Sequence, residues 1–438
     1  KSMVAYRRFA DGATPESAGI KSDHFVGHWY VEFNKALDAE RNAWLDEQEI
    51  TIDGLDEQAK KKVEERFLAA SELMIESRDV LVRWEAEDEA IRALWRTMNQ
   101  WVYDGFDQTY DRLGIHFDKH YYESDIYQGG RRRILDAVDR GVFEKAPNGA
   151  ILAPLSKHEE RLGRKLQDKV VLRADGTGLY ITQDLNLAGM KFEEFGLSRS
   201  LHCIGSEQQY YMQQLAATLK LLGFEWADEV IHLSYGMVYL PEGKMKSREG
   251  QVVDADDLMA EVTRLAAEAV RERSSDLDEA EVARRGEAIG LGAIVFDMLI
   301  VGRETEIHFD PRASVAFEGK TGPYLQYAYA RISSILRDAG EWQAPEALHV
   351  EAAAEWPLVA GLLAYPAAVA EASDTLDPAR LTNFLIEQAQ AFNRFYRDCR
   401  VLKAEEPVRS SRLALLAAFR TMLGHGLSLL AIESLDVM

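Results

Sequence analysis

Apolar residues recur every three or four positions through the first quarter of the chain. Leu68, Leu73, Ile75, Val80 and Leu81 mark one stretch, and Leu94, Met98, Trp101, Val102 and Phe106 mark the next. That spacing gives a helix one buried stripe, so 34–113 is predicted to be mostly helical, with Gly114 closing the run. From Gly130 the period shortens. Arg131-Arg132-Arg133 reads as a helix start. Short β-branched runs at 149–152, 169–172, 179–181, 200–205 and 231–240 then alternate with helical segments, the pattern of an α/β sheet. Thr182 suits the N-cap of a helix after the 179–181 strand. Residues 255–300 read as helical after Asp254, Asp256 and Asp257, the run 306–311 breaks the pattern, and everything beyond Gly319 reads as helices rich in Ala and Leu.

Polar residues gather at the predicted strand ends, where open α/β sheets bind ligands. Tyr180 and Asp184 flank one such end and Gln208 another. A carboxylate beside a phenol suits a guanidinium, because Asp accepts two parallel N–H bonds and the ring packs on the planar group. Asp184 equally suits a first-turn residue facing the helix dipole. The 231–240 run leads into Pro241–Gly250, where Gly243 and Gly250 frame Lys244, Lys246, Ser247 and Arg248. Such a loop can close over a polyphosphate as charge develops on it; a solvated basic turn is the other reading. His24–His28 reads as a loop before a helix. His116 and His120 stand four apart beside Gly114 and are not expected to hold a metal.

Composition narrows the class. The 438 residues allow two or three domains. The longest apolar run, Ile289–Val301, is short and contains Asp297, so no membrane span is expected. Cys203 and Cys399 give neither a disulfide framework nor a zinc-site spacing, and a reducing cytoplasm is expected. The net charge of −22 disfavours nucleic acid only on average, since residues 391–420 carry 7 Lys/Arg against 3 Asp/Glu. There Arg394, Tyr396, Arg397 and Arg400 interleave with Phe392 and Phe395. Aromatic and Arg side chains together stack unpaired bases and hold phosphates; an amphipathic helix with its aromatics inside accounts for the run equally well. Lys1 is no initiator methionine, and the start reads as N-terminally truncated.

Five stretches in one order resemble a known family: GATPESAGIKSDHFVGHWYV at 12–31, YITQD at 180–184, IGSEQ at 204–208, KMKSREG at 244–250 and TGPYLQYAYARI at 321–332. Together they are similar to bacterial arginyl-tRNA synthetases of class I. The resemblance implies a Rossmann-type catalytic domain over 1–318, with a helical insertion at about 34–113, followed by an all-α anticodon-binding domain over 319–438. It implies ATP-dependent activation of L-arginine and transfer to tRNA(Arg), by a cytoplasmic monomer using ATP with Mg²⁺ and no protein-bound metal. By position, Tyr180, Asp184 and Gln208 would bind arginine; Gly236, Met237, Val238, Gly243, Met245 and Ser247 would bind ATP; and Lys244, Lys246 and Arg248 would act in catalysis. Tyr327, Arg331, Arg394, Tyr396, Arg397 and Arg400 would meet the tRNA. Three departures stand out. The family's H-x-G-H motif, the first strand of its nucleotide fold and its N-terminal tRNA-contacting domain are absent, so impaired activity is expected of the chain; His24–His28, one residue longer than H-x-G-H, is not read as a nucleotide site. The loop reads Lys-Met-Lys-Ser-Arg in place of Lys-Met-Ser-Lys-Ser. Tyr211 stands where many relatives carry histidine. One rival, a cysteinyl enzyme, would need a zinc site that two distant cysteines do not supply. The other, a non-catalytic RNA-binding fragment, would lack adenylate formation.

Overall fold

A computed structural model describes residues 1–240, 254–274 and 276–438. Two compact units emerge, one built on Lys1–His116 and one holding 117–240 with Asp256–Met438.

The first unit is helical, with long helices Ser22–Glu47, Glu57–Ala70, Glu72–Glu85 and Glu89–Arg112. Asp56, Ser71 and Asp88 cap the last three by accepting a backbone N–H. Phe25, Trp29 and Phe33 lie four apart and are at most 8 % exposed. That stripe draws His24–His28 into the helix Ser22–Glu47, so these histidines do not form a loop before it. Tyr6, Phe25, Trp29 and Trp101 meet edge to face at centroid distances of 5.6–6.3 Å.

The second unit begins with the helix Glu123–Asp139. Arg131–Arg133 lie inside that helix and do not start it. Two glycines explain its continuity through Gly130: they let it approach the helix Tyr180–Phe195 so closely that a Cβ on Gly130 would stand 2.1 Å from the Thr182 carbonyl oxygen. The strand expected near 150 pairs antiparallel with the one expected near 170 on one side and with Glu144–Lys145 on the other, forming a three-stranded sheet. No strand forms at 179–181. The helix begins at Tyr180, leaving only a single bridge between Leu172 and Gly178.

The parallel element is Ser200–Gly205 paired with Val230–Tyr235, His202 opposite His232. The helix Gln209–Leu222 makes the crossover that parallel strands require, and Gly223 ends it at φ +93°. Leu185, Leu215, Leu219 and Val230 bury together with Ile181 and Met212 beneath this layer. The expected strand at 231–240 breaks at Gly236. Its N–H turns to the Arg303 carbonyl (2.9 Å), and a Cβ there would stand 2.2 Å from the Thr305 oxygen. Val238–Tyr239 consequently leaves the first ladder and pairs parallel with Ile307–His308.

Helices Ala255–Arg273 and Glu279–Leu299 follow, then Gly322–Asp338, Trp356–Asp374, Pro378–Asp398 and Val408–Leu429. Leu325, Ile332, Leu385, Phe392, Phe395, Leu416 and Phe419 form their core, joined by Phe296. Glu355 is 1 % exposed, yet its carboxylate is satisfied by Arg412 Nε (2.6 Å) and by the N–H groups of Glu351 and Ala352. No helix among the described residues is long and apolar enough to cross a membrane.

Candidate active site

The helix Tyr180–Phe195 is pinned at its first turn. Thr182 Oγ accepts the Leu179 N–H (2.8 Å) and donates to the Val171 carbonyl (2.6 Å), tying the turn to the antiparallel sheet. Thr182 is thus the third residue of the helix and not its N-cap. Tyr180 and Asp184, four apart, share one helical face. Tyr180 is 75 % exposed, while Asp184 is partly buried.

Asp184 Oδ2 accepts the phenolic O–H of Tyr211 from the neighbouring helix Gln209–Leu222. Burial pushes the Asp184 carboxyl above the usual carboxylate range, and the Tyr211 bond and the Lys191 charge draw it back. Burial also raises the Tyr211 phenol, with its bond to Asp184 adding to the rise. Lys191, on the same helix as Asp184, is lowered by burial and lifted by the carboxylate. Lys169 Nζ sits 5.1 Å from the centroid of the Tyr211 ring. Behind this group His202 is driven down to about 4, first by burial and then by Lys191 and His232, so it stays neutral.

Gln208 stands at the carboxyl end of the strand Ser200–Gly205, at the entry to the helix Gln209–Leu222. It precedes Tyr211 by three residues, one helical turn. Strand end and paired helix starts therefore present a partly desolvated carboxylate, an exposed phenol and a carboxamide. Such a set can hold a planar cation, fork to fork on the carboxylate. Tyr211 is the residue that the sequence left without a role; its signal was one turn's separation from Gln208.

Gly236–Val238 occupy the break between strands. Met237 offers its carbonyl to the Ile307 N–H (2.9 Å), and Val238 pairs with Ile307. Gly243, Lys244, Met245, Lys246, Ser247 and Arg248 lie outside the described residues. Neither His116 nor His120 lies in a helix, and His120 stacks on Tyr122 at 6.3 Å.

In the C-terminal helices, Arg331 lies between two rings. Its guanidinium is 4.5 Å from the Tyr327 centroid and 4.8 Å from that of Tyr396, and it donates to Tyr327 OH at 2.6 Å. Tyr327, Arg331, Tyr396, Arg397 and Arg400 line one open cleft of about 590 Å³. Arg394 is exposed on the same helix but does not line it, and Arg397 also binds Asp398 (2.8 Å). Phe392 and Phe395 are wholly buried and belong to the core. Phe392 and Phe395 thus follow the amphipathic-helix reading, while Tyr396, Arg397 and Arg400 lie exposed.

Residues 20–311 match the model of the tRNA synthetases class I (R) catalytic domain, and 325–438 match the DALR anticodon binding domain. The fold is therefore that of a class I aminoacyl-tRNA synthetase catalytic domain followed by an anticodon-binding domain. An arginine–tRNA ligase of Porphyromonas gingivalis strain W83 is 42 % identical over 441 residues, spanning 99 % of this chain and 71 % of the relative. One of Bacteroides fragilis strain YCH46 is 40 % identical, spanning 100 % and 72 %. The solved arginyl-tRNA synthetase of Thermus thermophilus superposes with a TM-score of 0.71 at 26 % identity, covering 91 % of this chain and 74 % of that one. This chain belongs to the arginyl-tRNA synthetase family.

Proposed function

We propose that the chain joins arginine to tRNA(Arg) with Asp184 as the receptor of the arginine guanidinium. Tyr180 flanks the planar group and Gln208 adds a directed amide. ATP is the family's co-substrate, and its adenine lies against Gly236, Met237 and Val238. The arginine carboxylate attacks the α-phosphorus, the bond to the leaving pyrophosphate breaks, and arginyl-adenylate forms. A hydroxyl at the tRNA 3′ end then attacks the acyl carbon and AMP leaves. Gly243, Met245 and Ser247 also bind ATP, and Lys244, Lys246 and Arg248 meet the charge that moves onto pyrophosphate. Mg²⁺ arrives with ATP and shields its phosphates, without a dedicated protein cage.

Tyr327, Arg331, Tyr396, Arg397 and Arg400, with Arg394 on the rim, hold the tRNA by stacking and by phosphate contacts. The catalytic part spans 1–318, including a helical insertion at about 34–113, and the anticodon-binding part spans 319–438. The protein works as a monomer in the cytoplasm.

The carrying observation is the partly buried Asp184 carboxylate, whose one hydrogen-bond partner among the described residues is Tyr211. Asp184→Asn keeps the shape and removes the charge. Losing one member of a fully buried ion pair costs about 3–5 kcal/mol. This site is only partly buried, so the lower end applies, and the KM for arginine should rise roughly 10²-fold while that for ATP stays put. An unchanged arginine KM would leave Asp184 a helix-start residue. Lys244→Ala should lower the adenylation rate by about 10²–10³ and barely alter ATP affinity, since an interaction made only in the transition state acts on rate.

A further inference from the structure

We infer that Tyr211 is a positioning residue of the arginine site, holding one oxygen of the Asp184 carboxylate so that the rest of the group meets the guanidinium fork squarely. The inference rests on Asp184 as the guanidinium receptor and goes beyond it, to the residue that orients that receptor.

The geometry is specific. An Asp side chain on an open helix face turns about χ1 and χ2, and a guanidinium fork rewards one plane of the carboxylate. Tyr211 comes from a different helix, rooted at the strand end that also places Gln208. Its O–H on Oδ2 fixes the carboxylate plane relative to that strand end. Each carboxylate oxygen has two lone pairs, so one phenol bond still leaves acceptors on both oxygens for two parallel N–H groups. Tyr211 is itself held. Lys169 Nζ stands over its ring at 5.1 Å, where a cation is attracted to the π face and strengthens the phenol as a donor. Next to it, Tyr210 OH accepts the Gln167 N–H (3.0 Å) and Gln214 donates to the Gln167 carbonyl (3.1 Å), fastening this helix to the strand that carries Lys169.

Tyrosine also suits this place electrostatically. Among the described residues, the charged groups near Asp184 include Lys191 on its own helix and Lys169 on the strand beyond Tyr211. From the third packed helix, Arg133 is engaged by Asn186 and Glu193. Neutral His202 lies behind. Lys191 lies seven residues from Asp184, two turns along the same face, and acts through space without a direct bond. A phenol donates at every pH in the physiological range, because burial and the carboxylate both push its ionisation to higher pH. An imidazole there would change charge near neutrality. Arginine capture in this chain should therefore be flat in pH down to the titration of Asp184 itself.

The test is steady-state aminoacylation of tRNA(Arg) by wild type, Tyr211→Phe, Tyr211→His and Asp184→Asn, with arginine, ATP and pH varied. A hydrogen bond to a charged group, once removed, should raise the arginine KM of Tyr211→Phe roughly 10- to 100-fold, with kcat and the ATP KM little changed. Loss of the phenol bond also removes a force that favours the ionised carboxylate, so the acid limb of kcat/KM for arginine should move to higher pH. Tyr211→His should recover part of the KM and add a titration near neutrality. An unchanged arginine KM and acid limb in Tyr211→Phe, with Asp184→Asn still impaired, would overturn the positioning role and leave the receptor assignment standing. If Asp184→Asn is also unimpaired, the receptor assignment itself falls.

Discussion

Two of the tyrosines that face charged groups in this molecule do so in opposite surroundings. Tyr211 donates its phenol to the Asp184 carboxylate in a partly desolvated corner between two helices. Tyr396, 45 % exposed, lays its ring against the Arg331 guanidinium in an open cleft. The first arrangement is directional and suits a single small ligand whose charge pattern must match. The second has an exposed ring face and a cation, which every base and phosphate can use, so it suits a polymer whose contacts are many and individually weak. The net charge of −22 says nothing about either, because each acts within a Debye length of about 8–10 Å. Burial sets how much each contact is worth.

That rule can be pressed first where burial is greatest. Glu355→Ala strands Arg412 in the C-terminal core without its carboxylate and frees two backbone N–H groups. Breaking a buried pair in this way costs about 3–5 kcal/mol, so urea unfolding of the C-terminal helices should show a loss of unfolding free energy of that order. A loss as small as that of an exposed pair would contradict the rule.

The open cleft should respond much less. Tyr396→Ala removes one stacking face, worth about 1–3 kcal/mol per base, and should weaken tRNA binding roughly 10-fold without altering the KM for arginine. Arg397→Ala, whose guanidinium is already engaged by Asp398, should weaken binding only slightly and lower the salt slope by about one ion. If Arg397→Ala outweighs Tyr396→Ala, phosphates and not bases are what this cleft reads.

The smallest effect concerns Asp297, which burial, and then Asp310, push up to about 6. Its folded value lies above its unfolded one, so its contribution to stability is fully present below about pH 4 and is lost as pH rises to about 6. Asp297→Asn should accordingly raise the melting temperature relative to wild type at pH 7, and the gap should close below about pH 4. Equal melting temperatures at pH 7 would show that Asp297 is solvated enough to ionise freely.

Legibility from the sequence tracked the same division between local pattern and tertiary contact. The runs 169–172 and 200–205 read as strands because their β-branched and apolar residues suit a pleated surface, and the structure places strands at both. The break at Gly236 was not legible, because its cause is the close approach of Thr305, sixty-nine residues away. The absent strand at 179–181 has the same kind of origin: the Thr182 hydroxyl reaches Val171 across the turn and starts the helix early. Among the site residues, Asp184 and Gln208 could be picked out as polar groups at element ends. Tyr211 could not be assigned, since a tyrosine three residues into a helix reads as packing until its partner is seen. The aromatic run at 392–400 divided by helical period, Phe392 and Phe395 inward and Tyr396 outward, which spacing alone allows but does not single out.

The claim beneath this comparison is that Asp184 recognises the positive charge of arginine. Citrulline has nearly the same shape with a neutral urea in place of the guanidinium, so the ratio of kcat/KM for arginine over citrulline isolates the charge. Measured in arginine-dependent ATP–pyrophosphate exchange with tRNA(Arg) present, wild type should prefer arginine strongly, and Asp184→Asn should shrink that preference by roughly 10²-fold. A ratio that stays the same in Asp184→Asn would mean that the charge is read elsewhere, and the site built on Asp184 and Tyr211 would have to be abandoned.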